Sequence, residues 1–138
     1  MTSLLPRLVA AVVLGAPAFA SPQSPGDTAL ASPSMALLRD RVSGGSLPGI
    51  RWARIGDVSA DVRQAYERVL WRPLWSNGGQ PTSAALATLA VLARVDSLGL
   101  DPADFDAPRL DSLASALAAG GDDATLAEFE GTLSVAAT

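Results

Sequence analysis

The stretch YERVLWRPLWSNGGQPT, residues 66–82, holds the only Tyr, the only Asn and two of the three Trp of this chain. A helix that carries Tyr66 has to end within this stretch, because Pro73 pushes the residue before it, Arg72, out of the α region. Asn77-Gly78 tolerates positive φ and predicts a turn, and Thr82 is a good N-cap for a following helix. The stretch is therefore predicted to form a corner between two helices, with its aromatic side chains packed in the junction.

The composition favours close-packed helices over sheets. Hydrophobic residues make up 49% of the 138 residues, yet aromatic residues make up only 5%, so Ala, Leu and Val have to supply most of the core. A β-sandwich would need more Val, Ile, Thr and aromatic residues than this. We expect an all-α fold, a small bundle of about four helices.

Several function classes are excluded by composition. The chain has no Cys and no His, which removes thiol nucleophiles, thiolate or imidazole metal sites and the usual general base. The net charge is -4 and no basic cluster is present, so no nucleic-acid partner is expected. Nucleophile-elbow and phosphate-loop motifs are absent. We expect no catalytic residue, no cofactor and no metal in this chain.

The amino terminus has the pattern of an export signal. Residues 1–20 carry one basic side chain, Arg7, then an apolar run and a small-residue ending at Ala20. This is typical of a secretory signal peptide cleaved after Ala20. A bilayer span needs about 20 apolar residues, and this run is shorter and interrupted by Gly15 and Pro17. We expect an exported protein with no membrane span after cleavage.

Prolines divide the rest of the chain. Residues 21–34 hold three of the ten prolines and lack an apolar period, so the segment 21–49 is predicted to be a disordered linker. Within that linker only Met35 to Val42 has the pattern of a short helix. Residues 50–138 are predicted to form the helical domain.

Apolar spacing predicts four helices in this domain. They run from Asp57 or Ser59 to about Leu70, from Thr82 to about Leu98, from Pro108 to about Ala119, and from Ala124 onward. The inward face expected for the second helix is Leu86, Leu89, Ala90, Ala93 and Leu98. For the third it is Leu110, Leu113, Ala114 and Leu117, and for the fourth it is Leu126, Phe129, Leu133 and Ala136 or Ala137.

Acidic residues offer the other chemical candidates. Carboxylates at Asp101, Asp104, Asp106 and Asp111 could hold a hard cation, but no register matches a calcium loop. Asp101 followed by Pro102 instead fits a helix start, with Asp104 favourable to the helix dipole. Glu130 falls near an apolar face, and we expect it to pair with Arg63, Arg68 or Arg72 and hold helices in register.

The order of these signals resembles the helical scaffold domain at the front of exported, multi-domain L,D-transpeptidases. The matching segments are YERVLWR at 66–72, PLW at 73–75, NGG at 77–79, PT at 81–82, GLDPADF at 99–105, and Glu130 followed by Leu133-Ser134. On this basis the structural or interface candidates are Tyr66, Trp71, Pro73, Trp75, Gly99, Asp101, Pro102, Asp104, Phe105 and Glu130.

The resemblance implies a role in the cell wall. Enzymes of this family cross-link peptidoglycan stem peptides in the periplasm, where a catalytic Cys forms an acyl-enzyme that an acceptor amine resolves. Their Cys and His lie in a catalytic domain, and neither residue occurs in this chain. The resemblance therefore implies a periplasmic, non-catalytic scaffold fragment, truncated at its C-terminal end. Its implied partner is that catalytic domain, and peptidoglycan itself is a second candidate partner.

A different class of function remains open beside this one. Trp71 and Trp75 could stack on a sugar or grip a partner protein, which would make the chain a small periplasmic binding module. The composition favours packing of both rings in the core, because an Ala and Leu core needs a few large side chains to bury enough surface.

Overall fold

The computed structural model describes residues 32–50 and 55–138, with the backbone alone for 55–57. The signal peptide predicted at 1–20 and residues 21–31 of the predicted linker lie outside these residues. The helices are α1 (Pro33–Ser43), α2 (Ile55–Arg68), α3 (Ser83–Leu92), α4 (Ala107–Ala118) and α5 (Asp123–Ala136). The prediction of a small, mostly helical domain is confirmed.

Short elements connect these helices. An antiparallel hairpin of β1 (Ser76–Asn77) and β2 (Gln80–Pro81) precedes α3. Two 3₁₀ turns, Val95–Leu98 and Pro102–Phe105, join α3 to α4. Gly99 follows the first of these turns with φ of 78°, a left-handed conformation that glycine adopts without steric cost.

Helix α1 belongs to the hydrophobic core. Met35, Leu38 and Val42 are at most 3% exposed, and they share one apolar cluster with Leu47, Val62, Tyr66, Trp71 and Ala127. The missing side chain of Gly131 makes room for this packing, because a Cβ there would lie 2.7 Å from Leu47 Cδ2 and 3.0 Å from Leu38 Cδ1. The short helix predicted near Met35 is present, and it packs on the domain although the sequence had placed it in a linker.

The loop after α1 is fastened to two other helices. The Arg109 guanidinium on α4 donates to the Pro48 carbonyl at 2.7 Å and to Glu128 Oε1 on α5 at 2.6 Å. Gly49 lies directly against that guanidinium, with φ of 78° and no space for a Cβ. These contacts close the loop over α4 and α5.

Helices α3, α4 and α5 enclose a second apolar cluster. Its buried members are Ala85, Leu92, Ala107, Leu110, Ala114, Leu117, Phe129 and Leu133, with Leu113, Leu126 and Ala136 packed partly buried against them. The inward faces predicted for the last two helices are therefore confirmed.

The inward face predicted for α3 was wrong except at Leu89, which packs partly buried against the second cluster. Leu86 is 53% and Leu98 is 75% exposed, whereas Ala85 and Leu92 are buried. The helix is also shorter than expected, because it ends at Leu92 and a 3₁₀ turn follows. Its sequence, SAALATLAVL, carries no charged residue, so no polar face marks the side that points to solvent.

Candidate functional site

The corner between α2 and α3 is built by two residues in an uncommon conformation. Leu70 and Trp71 have φ of 54° and 56°, a left-handed region that costs an ordinary side chain of order 1 kcal/mol or more. The Trp71 N–H donates a hydrogen bond to the Tyr66 carbonyl at 2.7 Å. The chain therefore folds back, and the Trp71 ring stacks on the Tyr66 ring at 5.7 Å between centroids.

A buried carboxylate lies beneath this corner. Glu130 on α5 is 0% exposed. Its Oε1 accepts from the Ser76 hydroxyl at 2.6 Å and from the Trp75 N–H at 3.0 Å. Its Oε2 accepts from the Tyr66 hydroxyl at 2.6 Å and from the Leu74 N–H at 2.9 Å. These four donors match the lone-pair capacity of an ionised carboxylate.

Ser134 extends the network by one turn of α5. Its Oγ lies 3.0 Å from the Tyr66 hydroxyl and accepts from the Trp75 indole N–H at 2.8 Å. Residues 130 and 134 share a helix face because they are four positions apart. That spacing, and the match of Glu130 and Leu133-Ser134 to the family pattern, are the signals in the sequence that could have placed Ser134 in the site.

The environment of Tyr66 keeps its phenol neutral. Burial raises the pKa of Tyr66 well above its ordinary value of 10.0, and the adjacent Glu130 carboxylate raises it further. The phenol is thus held as a hydrogen-bond donor, as the contact with Glu130 requires.

The predicted ion pair between Glu130 and an arginine was wrong. Arg63 pairs with Glu67 at 3.8 Å, and Arg68 donates to Gln64. Arg72 is exposed. The donors to Glu130 are instead hydroxyls and backbone N–H groups of the corner.

The two tryptophans of the corner are differently placed. Trp71 is 8% exposed, with Tyr66 on one side and the Arg39 guanidinium carbon 5.5 Å from the ring centroid. Trp75 is half-buried, and its only indole N–H already donates to Ser134. Trp71 is thus part of the first apolar cluster, and Trp75 packs partly buried against the second.

The remaining candidates from the sequence lie at the two 3₁₀ turns and the corner. Asp101 accepts from the Ala103 N–H at 2.9 Å and so caps the turn that Pro102 opens. Asp104 is exposed, and Phe105 packs partly buried against the second cluster. Pro73 directly precedes the N–H groups that bind Glu130 and is half-buried. In the described part of the chain, no group of three acidic side chains is arranged to hold a metal ion.

An exposed apolar surface lies on the side of α3 that faces away from the buried Ala85 and Leu92. The α3 face, defined as Leu86, Ala90 and Val91 of α3 together with Leu98 of the following 3₁₀ turn, has three large side chains that are 53–75% exposed. Arg94 lies beside Val91 and Leu98 on this surface. A groove of about 700 Å³ borders it, lined on the α4 side by Pro108, Asp111 and Ala114. Exposed apolar patches of this kind mark interaction sites in many proteins.

A comparison with protein-family models gives one match. The model is described as a scaffold domain, and it matches residues 60–138, more than half of the 138 residues. The chain belongs to the scaffold-domain family. No curated protein and no solved structure matches the chain.

The scaffold-domain match contains both ends of the Glu130 network and the whole α3 face. Helix α1 lies outside the matched residues, although it packs on α5 within the scaffold domain. No helix among the residues described here is long and apolar enough to cross a membrane. The scaffold domain thus combines a buried polar network at the corner with exposed apolar side chains on α3.

Proposed function

We propose that this scaffold domain is the non-catalytic part of a periplasmic L,D-transpeptidase. In this role it holds the catalytic domain in position for peptidoglycan cross-linking and contributes no reacting group. The α3 face is the surface on which the catalytic domain docks. The chain contains neither the Cys nor the His on which the chemistry of that family depends.

The observation that carries the proposal is the scaffold-family match over residues 60–138. The order of PLW, GLDPADF and Glu130 in the sequence supports the link to L,D-transpeptidases. The α3 face supports docking, because Leu86, Val91 and Leu98 are more than half exposed and contact with an apolar partner would remove them from water.

Two aspartate substitutions on the α3 face test the proposal. The purified chain is titrated against the catalytic domain of an L,D-transpeptidase from the same cell, with fluorescence anisotropy as the readout. We expect binding, and we expect Leu86→Asp and Val91→Asp each to weaken it at least about tenfold, because each buries an unpaired charge in an apolar contact.

Leu70→Asp is the matched control. It makes the same change at a side chain that is 62% exposed but lies at the corner, so affinity should stay unchanged. Circular dichroism checks that all three variants remain folded. Failure to bind at tens of micromolar concentrations, or cross-linking activity of the chain alone, would overturn the proposal.

The binding-module alternative is separated by a pull-down on purified sacculi. A scaffold that acts only through its catalytic partner is not retained on sacculi. Retention that is lost on Trp75→Ala would favour the alternative, although the indole N–H of Trp75 is already engaged with Ser134.

A further inference from the structure

We propose that two copies of this chain pair through the α3 face in a dimer with one twofold axis. The α3 face lies between two depressions of the surface. On one side is the groove of about 700 Å³ that α4 borders, and on the other is a hollow of about 270 Å³ lined by Val91 and Leu98. Ala90 lines both depressions. A small side chain therefore stands at the middle of the face, where it lets a second helix approach closely.

Each depression has one charged residue in its described lining, and the two charges are opposite. Asp111 of α4 lines the groove, and Arg94 lines the hollow. Both residues are exposed, and neither side chain has an ion pair or a hydrogen bond among the described residues. The apolar centre of the face is thus flanked by an unpaired acid on one side and an unpaired base on the other.

The two charges also lie toward the same end of the helix pair. The loop before α3 is bonded to the end of α4, since Gln80 Nε2 donates to the Leu117 carbonyl at 3.1 Å. At the other end, Ala93 shares the groove with Pro108, so α3 and α4 run in opposite directions. Both charges therefore lie where α3 ends and α4 begins.

Such a face is complementary to itself. In a twofold dimer, a residue that meets a second residue of the other copy is matched by the reverse contact. An axis parallel to α3 exchanges the sides of the face and keeps its ends, so it brings Arg94 of each copy to Asp111 of the other. Removal of Leu86 and Val91 of both copies from water favours association, and the two ion pairs fix the orientation.

The dimer is expected to be weak. Three partly exposed large side chains form an apolar patch on the order of a few hundred Å², below the roughly 800 Å² per partner of a stable interface. We therefore expect a dissociation constant on the order of 100 μM. A face covered by a second copy cannot receive the catalytic domain, so the two complexes exclude each other, and this exclusion alone rests on the proposed function.

Sedimentation equilibrium of the purified chain tests the dimer with no catalytic domain present. The salt concentration is about 0.15 M, where the Debye length of about 8 Å screens differences in net charge. Arg94→Glu and Asp111→Arg each bring like charges together at both contacts and should weaken self-association at least about tenfold. An equimolar mixture of the two variants should recover the parent affinity to within about threefold. The reason is that the first variant has acids at both positions and the second has bases at both.

Two further variants serve as controls. Arg72→Glu makes the same change in net charge at an exposed residue of the corner, and it should change the affinity by less than a factor of about two. Leu86→Asp should weaken the dimer at least about tenfold, because it sets an unpaired charge in the apolar centre. Circular dichroism checks that these variants, all at exposed positions, remain folded.

The results that would overturn the dimer are distinct. They are a parent chain that stays monomeric up to about 1 mM, tenfold above the expected constant, assembly that continues beyond two copies, charge variants that dimerise as well as the parent, and a mixture of the two charge variants that stays monomeric. Docking of the catalytic domain is measured in a separate anisotropy titration, so failure of either proposal is seen independently of the other.

Discussion

Glu130→Gln would remove an acceptor that the corner cannot replace. Each carboxylate oxygen of Glu130 accepts a short bond from one backbone N–H, from Trp75 on Oε1 at 3.0 Å and from Leu74 on Oε2 at 2.9 Å, and the Trp75 N–H makes a longer second contact with Oε2 at 3.3 Å. Hydroxyl groups can rotate and accept from a new amide, but a backbone N–H cannot. Whichever way the glutamine amide is oriented, its NH₂ group therefore faces a backbone donor.

The expected cost follows from this mismatch. Loss of one charge-assisted bond costs about 1.5–3 kcal/mol, and the N–H left unpaired adds about 1–3 kcal/mol, so we expect a loss of about 2.5–6 kcal/mol in the free energy of unfolding. Small domains have only about 5–15 kcal/mol in total. Tyr66→Phe should cost less, about 1–2 kcal/mol, because it removes a donor and leaves no N–H unpaired.

Urea denaturation followed by circular dichroism and tryptophan fluorescence measures these differences. Glu128→Gln is the matched control, because it makes the same change on the same helix at a side chain that is 24% exposed and bonded to Arg109. It should cost at most about 1 kcal/mol. A Glu130→Gln protein within about 0.5 kcal/mol of the parent would refute the reasoning, since that is the range of neutral surface changes.

Two further predictions concern Tyr66 and α1. The chain has a single Tyr, so tyrosinate absorbance follows Tyr66 alone. The pKa of Tyr66 in the folded protein lies above the ordinary 10.0. Its contribution to the free energy of unfolding is therefore full below pH 10 and should decrease as the pH rises further, and the Tyr66→Phe variant should not show this decrease. If Tyr66 titrates at its ordinary pKa in the folded protein, the predicted pH dependence is wrong. Leu38→Ala, at a fully buried position, should cost about 2–5 kcal/mol, whereas Leu37→Ala, at 39% exposure, should cost less than about 0.5 kcal/mol. Equal costs in thermal denaturation would mean that α1 does not belong to the core.

The sequence predicted α4 and α5, which both have a start signal at their first residues. Helix α5 begins after Asp122, which caps the Thr125 N–H at 2.8 Å, and α4 begins with Pro108 near its start. Helix α3 has an equally good cap at Thr82. Its orientation still could not be predicted, because its Ala, Leu and Val residues are spread around the whole helix and the neighbouring helices decide which side is buried.

Helix α1 was assigned to a linker for a different reason. Proline, serine and glycine flank this helix on both sides, and the linker was predicted from the composition of those flanking segments. The decisive contact is distant in sequence: Gly131 leaves a notch on α5 that Leu38 and Leu47 fill. No local pattern around Leu38 contains that information.

The burial of Tyr66 was predicted, but the partners of Glu130 were not. We predicted a cationic partner for Glu130, because the negative charge of a carboxylate near an apolar face has to be compensated. The compensation comes from the backbone N–H groups of Leu74 and Trp75. Backbone donors are present in every residue, so their availability depends on the non-helical path of the corner and not on residue type.

This arrangement connects the buried carboxylate to the proposed docking surface. Glu130 holds the Trp75 N–H, and the Trp75 carbonyl accepts from the N–H of Thr82, the N-cap of α3, at 2.9 Å. The start of α3 is thereby fixed to α5 through two successive hydrogen bonds. An arginine paired with Glu130 would neutralise the charge but leave the corner backbone unattached. If α3 is the docking helix, Glu130→Gln should therefore weaken binding of the catalytic domain even under conditions where the variant is still folded, while Glu128→Gln should not.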